Sequence, residues 1–192
     1  MTTSARRWAR TDATQQRILD AATDVFSARG FSAATMADIV DYSGASIGSI
    51  YHHFGGKKEL FLAIFERLSA DVERRIDEAA RQSTDLDSQQ AFAVHARAYL
   101  NAIWANRRAA MMMASGDVPA GFERIRRRST LTFFQRWLTV LDVDSPKRDQ
   151  LLSRILIAIM AEASLMVTMC DDAADVEPIS DATIEWIGRL TS

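Results

Sequence analysis

The sequence predicts an all-α protein, with a three-helix N-terminal head joined by a long fourth helix to a C-terminal helical bundle. Three observations lead there. The chain of 192 residues holds only 8 glycines and 3 prolines, so long stretches carry no helix breaker. Apolar residues recur at three- and four-residue steps along most of the chain, the period of a helix with one buried face. No two neighbouring segments alternate apolar and polar residues as a strand pair requires. Hydrophobic residues make up 48% and charged residues 25%, an ordinary globular balance, and the length suffices for one or two domains with a real core.

Residues 1–11 are polar and basic without periodicity and read as a flexible basic arm. The first helix is expected from Asp12, where Asp12 and Gln15 have capping-box spacing. Its apolar stripe is Ile18, Leu19, Ala22, Val25 and Phe26, and Gly30 stops it. Thr35 and Asp38 form a second capping box, opening a short helix whose Met36, Ile39 and Val40 face inward. Gly44 supplies a left-handed residue between two helices that cross steeply. Ser46 caps a third helix running to Phe54. After Gly55-Gly56, a fourth helix runs from Lys57 to about Arg81 on Leu60, Phe61, Ile64, Leu68, Val72 and Ile76. The polar stretch from Gln82 to Asp87 reads as a loop. Beyond it come helices over Ser88 to about Asn106, a short piece at Met111 to Met113, and one over Gly121 to Leu141. Ser145-Pro146 reads as a cap followed by a first-turn proline, opening a helix to about Cys170. An acidic loop from Asp171 to Pro178 precedes a last helix over Asp181 to Leu190.

Net charge is -2, unevenly spread. Through Lys58 the chain carries seven basic residues (Arg6, Arg7, Arg10, Arg17, Arg29, Lys57, Lys58) against Asp12, Asp20, Asp24, Asp38 and Asp41. A basic head on an acidic body suits a protein that meets phosphate at one end only. The single Cys170 excludes an internal disulfide framework and points to the cytoplasm. No apolar run follows the N-terminal arginines, so no signal peptide is expected. The most apolar stretch, Ile155 to Cys170, contains Glu162. It reads as too short and too interrupted to cross a membrane, hence as a buried helix.

Within the head, Met36, Ile39 and Val40 clamp one helix, Gly44 makes a tight turn, and Ser46-Ile47-Gly48-Ser49 begin the next with small and polar side chains. That is what a helix-turn-helix needs if its second helix is to enter a major groove. The runs Gln16-Arg-Ile-Leu-Asp-Ala-Ala, Val25-Phe-Ser-Ala-Arg-Gly-Phe, Thr35-Met-Ala-Asp-Ile-Val, Ser43-Gly-Ala-Ser, Gly48-Ser-Ile-Tyr-His-His-Phe and Lys57-Lys-Glu-Leu follow in order. Together they resemble the head of the TetR family of transcriptional regulators, over roughly sixty residues, far more than a lone short motif provides.

The resemblance implies a helix-turn-helix DNA-binding domain over 12–72, with its motif at about 35–54, and a ligand-binding and dimerisation domain over 73–192. It implies that Thr35 gives its hydroxyl and backbone N–H to a phosphate, and that Ser46, Ile47, Gly48 and Ser49 read bases or approach the backbone. Tyr51 and His52 would touch phosphates, and Lys57 would add its charge to a helix N-terminus that favours the same anion. Position 47 often holds a polar or basic residue in such heads. Here Ile47 would press on a thymine methyl or lie against the neighbouring sugar.

The resemblance further implies a homodimer on double-stranded operator DNA, paired through the last two long helices. It implies a repressor released by a small, largely apolar or aromatic inducer held in the body. Candidate lining residues are Trp104, Met113, Phe134, Trp137, Met160 and Ser164, since methionines adapt to varied apolar ligands and pockets are mostly apolar with a few polar anchors. Arg124, Arg126, Arg127 and Arg128 read as a solvated helix face, or as a site for an acidic ligand or partner. The alternative readings are a helical partner-binding protein and an activator on the same fold. No catalytic, cofactor or metal site is expected: adjacent His52 and His53 point about 100° apart on a helix, and Gly55-Gly56-Lys57 lacks the spacing of a phosphate-binding loop.

Overall fold

The computed structural model describes residues 3–82, 85–140 and 148–191, with side chains for 12–82, 85–134 and 150–191. These residues are helical almost throughout: α1 (Thr3–Arg29), α2 (Met36–Ser43), α3 (Ile47–Phe54), α4 (Lys57–Gln82), α5 (Ser88–Ala105), α6 (Arg107–Ala114), α7 (Phe122–Val140), α8 (Arg148–Thr168) and α9 (Val176–Thr191), with a 3₁₀ turn at Ala173–Asp175. No strand occurs among the described residues. The all-α expectation holds.

Several features differ from the expected ones, among them α6, which begins at Arg107 rather than near Met111. The arm is helical from Thr3, so Asp12 and Gln15 lie inside α1 rather than capping it. Ala5, Ala9 and three arginines are good helix formers, and extending a helix that residues 18–26 already anchor costs far less than nucleating one. Next, α9 begins at Val176, five residues early, and takes Pro178 into its first turn, where the missing N–H would have had no partner in any case. Finally, α8 is longer than the apolar run that marks it. By length and composition its segment Gln150–Thr168 could cross a membrane, with mean hydropathy 1.8, and only 28% of that window is buried. The length argument against a span therefore fails, and within the single chain the helix is buried along one face, at Leu156, Met160, Ala163 and Val167. The Ser145-Pro146 cap lies outside the described residues.

The head core forms where Ile18, Val25 and Phe26 of α1 meet Ile39, Ile50 and Leu60, all at most 2% exposed. Burying each such side chain contributes about 1.5–3 kcal/mol. α4 continues without a break past residue 72, so head and body share one helix. An aromatic seam crosses from one to the other. Phe61 meets Phe26 at 5.8 Å and Phe31 at 5.4 Å between ring centres, and Phe122 at the start of α7 meets Phe61 at 4.9 Å and Phe65 at 5.3 Å, edge to face. Such pairs add about 0.5–1.5 kcal/mol each beyond area burial.

Polar contacts reinforce the seam. Asp117, in the α6–α7 connection, accepts from the Ser32 backbone N–H at 3.0 Å and from the Ser32 hydroxyl at 2.5 Å. Those two bonds and the nearby Lys57 hold the Asp117 carboxyl below its ordinary range. Arg108 pairs with Asp24 at 2.9 Å, and the Asn106 amide donates to Asp71 at 2.8 Å. Gly30 has φ +78, and a Cβ there would collide with the Asp117 carboxylate. Both facts require glycine. Gly30→Ala should therefore lower unfolding free energy in urea by about 1–2 kcal/mol through the left-handed backbone alone, with the collision adding to it. An unchanged midpoint and slope would refute this packing of the 115–121 segment on the head.

Candidate nucleic-acid interface

The exposed end of the head is built by caps. The Thr35 hydroxyl oxygen accepts from the Asp38 N–H at 3.2 Å, and Asp38 accepts from the Thr35 N–H at 2.9 Å, the reciprocal box expected at α2. Arg29 reaches Asp38 at 2.6 Å. The Thr35 bonds, and then Arg29, keep the Asp38 carboxyl low. Gly44 ends α2 at φ +63, and the Ser46 oxygen accepts from the Ser49 N–H at 3.1 Å to start α3. Ile39 and Ile50, fully buried, lock the two helices to the core, so α3 is held by its inner face and its N-terminal end faces outward.

That end presents the residues the sequence singles out. Ser46, Ile47 and Gly48 are exposed, and Ser49 is half-buried. A Cβ at Gly48 would meet nothing within 4 Å, so internal packing does not demand the glycine, and its effect is a bare backbone facing solvent. Tyr51 and His52 are exposed further along the helix. Tyr42, at the end of α2, is 65% exposed beside them, an aromatic that the sequence reading passes over although it directly precedes the turn. Thr35 is exposed at the start of α2. Lys57, in the first turn of α4, donates to the Ser32 carbonyl at 3.2 Å and stands 4.6 Å over the Phe31 ring. Its amine is thereby fixed near the α1–α2 turn with two donors to spare. Hydroxyls and first-turn N–H groups at the exposed start of a helix can hold an anion, and Lys57 adds a positive charge at the α1–α2 turn.

In the body, a cavity of about 500 Å³ opens between α4, α5 and α7, walled by Phe65, Leu68, Val72, Ile103, Phe133 and Phe134. Of the six residues singled out as lining, Phe134 is there. Met113 and Met160 are instead core residues at 4% and 1% exposure, because methionine at helical spacing fills gaps between packed helices. Trp104 lies under the Arg107 guanidinium at 4.7 Å, its buried Nε1 without a partner among the described residues. Ser164 meets the Tyr99 hydroxyl at 3.0 Å, one step behind the wall to which Tyr99 itself contributes. The Trp137 side chain lies outside the described residues.

Residues 18–64 match the family model described as bacterial regulatory proteins, tetR family. A curated relative, the transcriptional activator FasR of Mycolicibacterium smegmatis, is 38% identical over 74 residues, 38% of this chain and 34% of that protein. The transcriptional repressor AcnR of Corynebacterium efficiens is 36% identical over 64 residues, 33% of this chain and 34% of that protein. The chain thus matches about a third of the length of these relatives. A crystal structure of a TetR-like transcriptional regulator from Rhodococcus sp. RHA1 superposes with a TM-score of 0.72 at 22% identity, over 92% of this chain and 94% of that one. The fold likeness therefore covers head and body, whereas the family model matches residues 18–64 and these curated relatives align over 38% and 33% of the chain. Within the head, residues 18–64 are thus similar to the bacterial regulatory proteins of the tetR family.

Proposed function

We propose that this protein is a sequence-specific, DNA-binding transcriptional regulator of the cytoplasm, without enzymatic activity. The observation that carries the reading is the outward-facing start of α3, with Ser46, Ile47 and Gly48 exposed, together with Lys57 held at the α1–α2 turn. Ser46, Ile47, Gly48 and Ser49 meet base edges or the adjacent backbone, while Thr35, Tyr51, His52 and Lys57 meet phosphates, which position the head without specifying sequence.

One recognition helix gives weak and poorly selective binding, and a dimer on half-sites about 34 Å apart overcomes this. The dimer surface is the outward face of α8 and α9. Leu151, Ile155, Leu165 and Met169 are exposed at helical spacing, and Trp186 joins them from α9 at 58% exposure. Apolar surface of that extent on a chain with net charge -2 marks an association site. Arg154 and Glu162 interrupt the same face, which suits a subunit interface better than lipid. The cavity between α4, α5 and α7 takes a small, largely apolar inducer, which releases a repressor from its operator. The activator reading is kept alive by FasR, whose name gives it the opposite sign of regulation.

Selection of bound fragments from genomic DNA, followed by affinity measurement, tests the proposal. Absence of any salt-sensitive, sequence-selective binding would refute it. On a selected site, Lys57→Ala should weaken all sequences alike and reduce the salt slope by about one phosphate's worth, and an unchanged slope would remove Lys57 from the contact. Ile47→Ala should shift which sequence is preferred, whereas identical preferences would mean that Ile47 reads no base. Separately, Leu165→Glu with Trp186→Glu should yield a folded monomer by sedimentation, because both side chains are exposed in the single chain. A dimer that survives both changes would place the interface elsewhere.

A further inference from the structure

The arginines of the body fall into two groups. Arg74, Arg75, Arg97, Arg108 and Arg189 each reach a carboxylate. On α7, Arg126 pairs with Glu123 at 2.6 Å. Arg124, Arg127 and Arg128, and Arg154 on α8, reach no carboxylate among the described residues; nor do Arg81 on α4 and Arg107, which lies over the Trp104 ring apart from this cluster. Arg127 and Arg128 lie three and four residues beyond Arg124, neighbours of like charge that destabilise a helix. All three stand in the first two turns of α7, where the helix dipole favours negative charge instead. A solvated face needs neither feature, whereas an anion would relieve both.

Their positions give that anion a place. Arg128 stands at the wall of the α4/α5/α7 cavity, and Arg124, Arg127 and Arg154 line an adjoining groove of about 610 Å³. Thr130 borders both spaces. Together they carry Arg124, Arg126, Arg127, Arg128 and Arg154 against Glu73 and Glu123, a positive field on a body that is otherwise acidic. The cavity itself is walled mainly by aromatic and aliphatic side chains, which no simple anion would fill.

We propose that the cavity binds a single-chain amphiphile with an anionic head group, carboxylate or phosphate. Its apolar chain lies among Phe65, Leu68, Ile103 and Phe134, and Arg128 holds the head at the mouth, with the groove arginines raising the local concentration of anions. This rests on the reading of the cavity as the inducer site and adds the chemical class of the inducer.

Calorimetric titration of the DNA-free protein with dodecanoate, dodecyl phosphate, dodecanol and dodecyltrimethylammonium, each below its micellar concentration, tests it. Both anions, or one of them, should bind about tenfold or more tighter than the alcohol and the ammonium, the size expected of a charge-assisted hydrogen bond. The stronger of dodecanoate and dodecyl phosphate identifies the head group. Arg128→Gln should bring the anions down to the affinity of the alcohol and leave the alcohol unchanged. Equal binding of alcohol and anions by the unaltered protein would overturn the proposal while leaving the cavity as an apolar site. Binding of none of the four would overturn the cavity reading as well. If Arg128→Gln lowers affinity for a selected DNA fragment yet keeps the preference for anions, Arg128 belongs to the DNA contact and the proposal fails.

Discussion

Phe122 lies edge-on to both Phe61 and Phe65, and the arrangement of the molecule depends on that contact. Phe61 is at once part of the head core, against Phe26 and Phe31, and the surface on which α7 begins. Because Phe122 is 1% exposed, the head cannot rotate against the body without opening a void at the centre of five aromatic rings. A void of that kind loses dispersion contacts outright. The Asp117 carboxylate then sets the remaining freedom, since it bonds the Ser32 backbone and side chain beside Gly30. α4 makes the junction one helix rather than a linker, so head and body share a rigid element.

The head was legible in the sequence because its signals are local. Thr35 with Asp38, Ser46 with Ser49, and the glycines at 30 and 44 each act within three or four residues, and each appears in the structure as read. The core positions of α4 were equally plain, because Leu60, Phe61, Ile64, Leu68, Val72 and Ile76 keep one period across the whole helix and all are buried. The helix ends were harder. At Thr3 the chain extends a helix that residues 18–26 already anchor, and at Val176 it accepts a proline in the first turn.

The body's contacts were legible only in outline. Asp117 and Ser32 are 85 residues apart, and nothing at either position announces the other. Which methionine lines a cavity and which fills a core depends on how three helices rotate about their axes. Met113, Met160 and Phe134 look alike at the level of spacing, yet only Phe134 faces the open space. The outward face of α8 was half visible: the sequence shows apolar residues on more than one side, and the structure shows which side the single chain leaves bare.

The cavity and the head are linked through few side chains. Phe65 lines the cavity and also packs on Phe122, which packs on Phe61. The Phe31 ring on the far side of Phe61 carries Lys57 over its face. A ligand that merely filled existing space would bind every head orientation alike and shift none of them. To change DNA affinity it must displace Phe65 or the start of α7, so that Phe122 and Asp117 meet the head differently in the two states. The coupling is then bounded by the difference in ligand affinity between those arrangements, typically about 1–3 kcal/mol in allosteric proteins. Rigid packing at the seam makes so small a difference sufficient, because close-packed aromatic rings switch between discrete arrangements rather than deforming gradually.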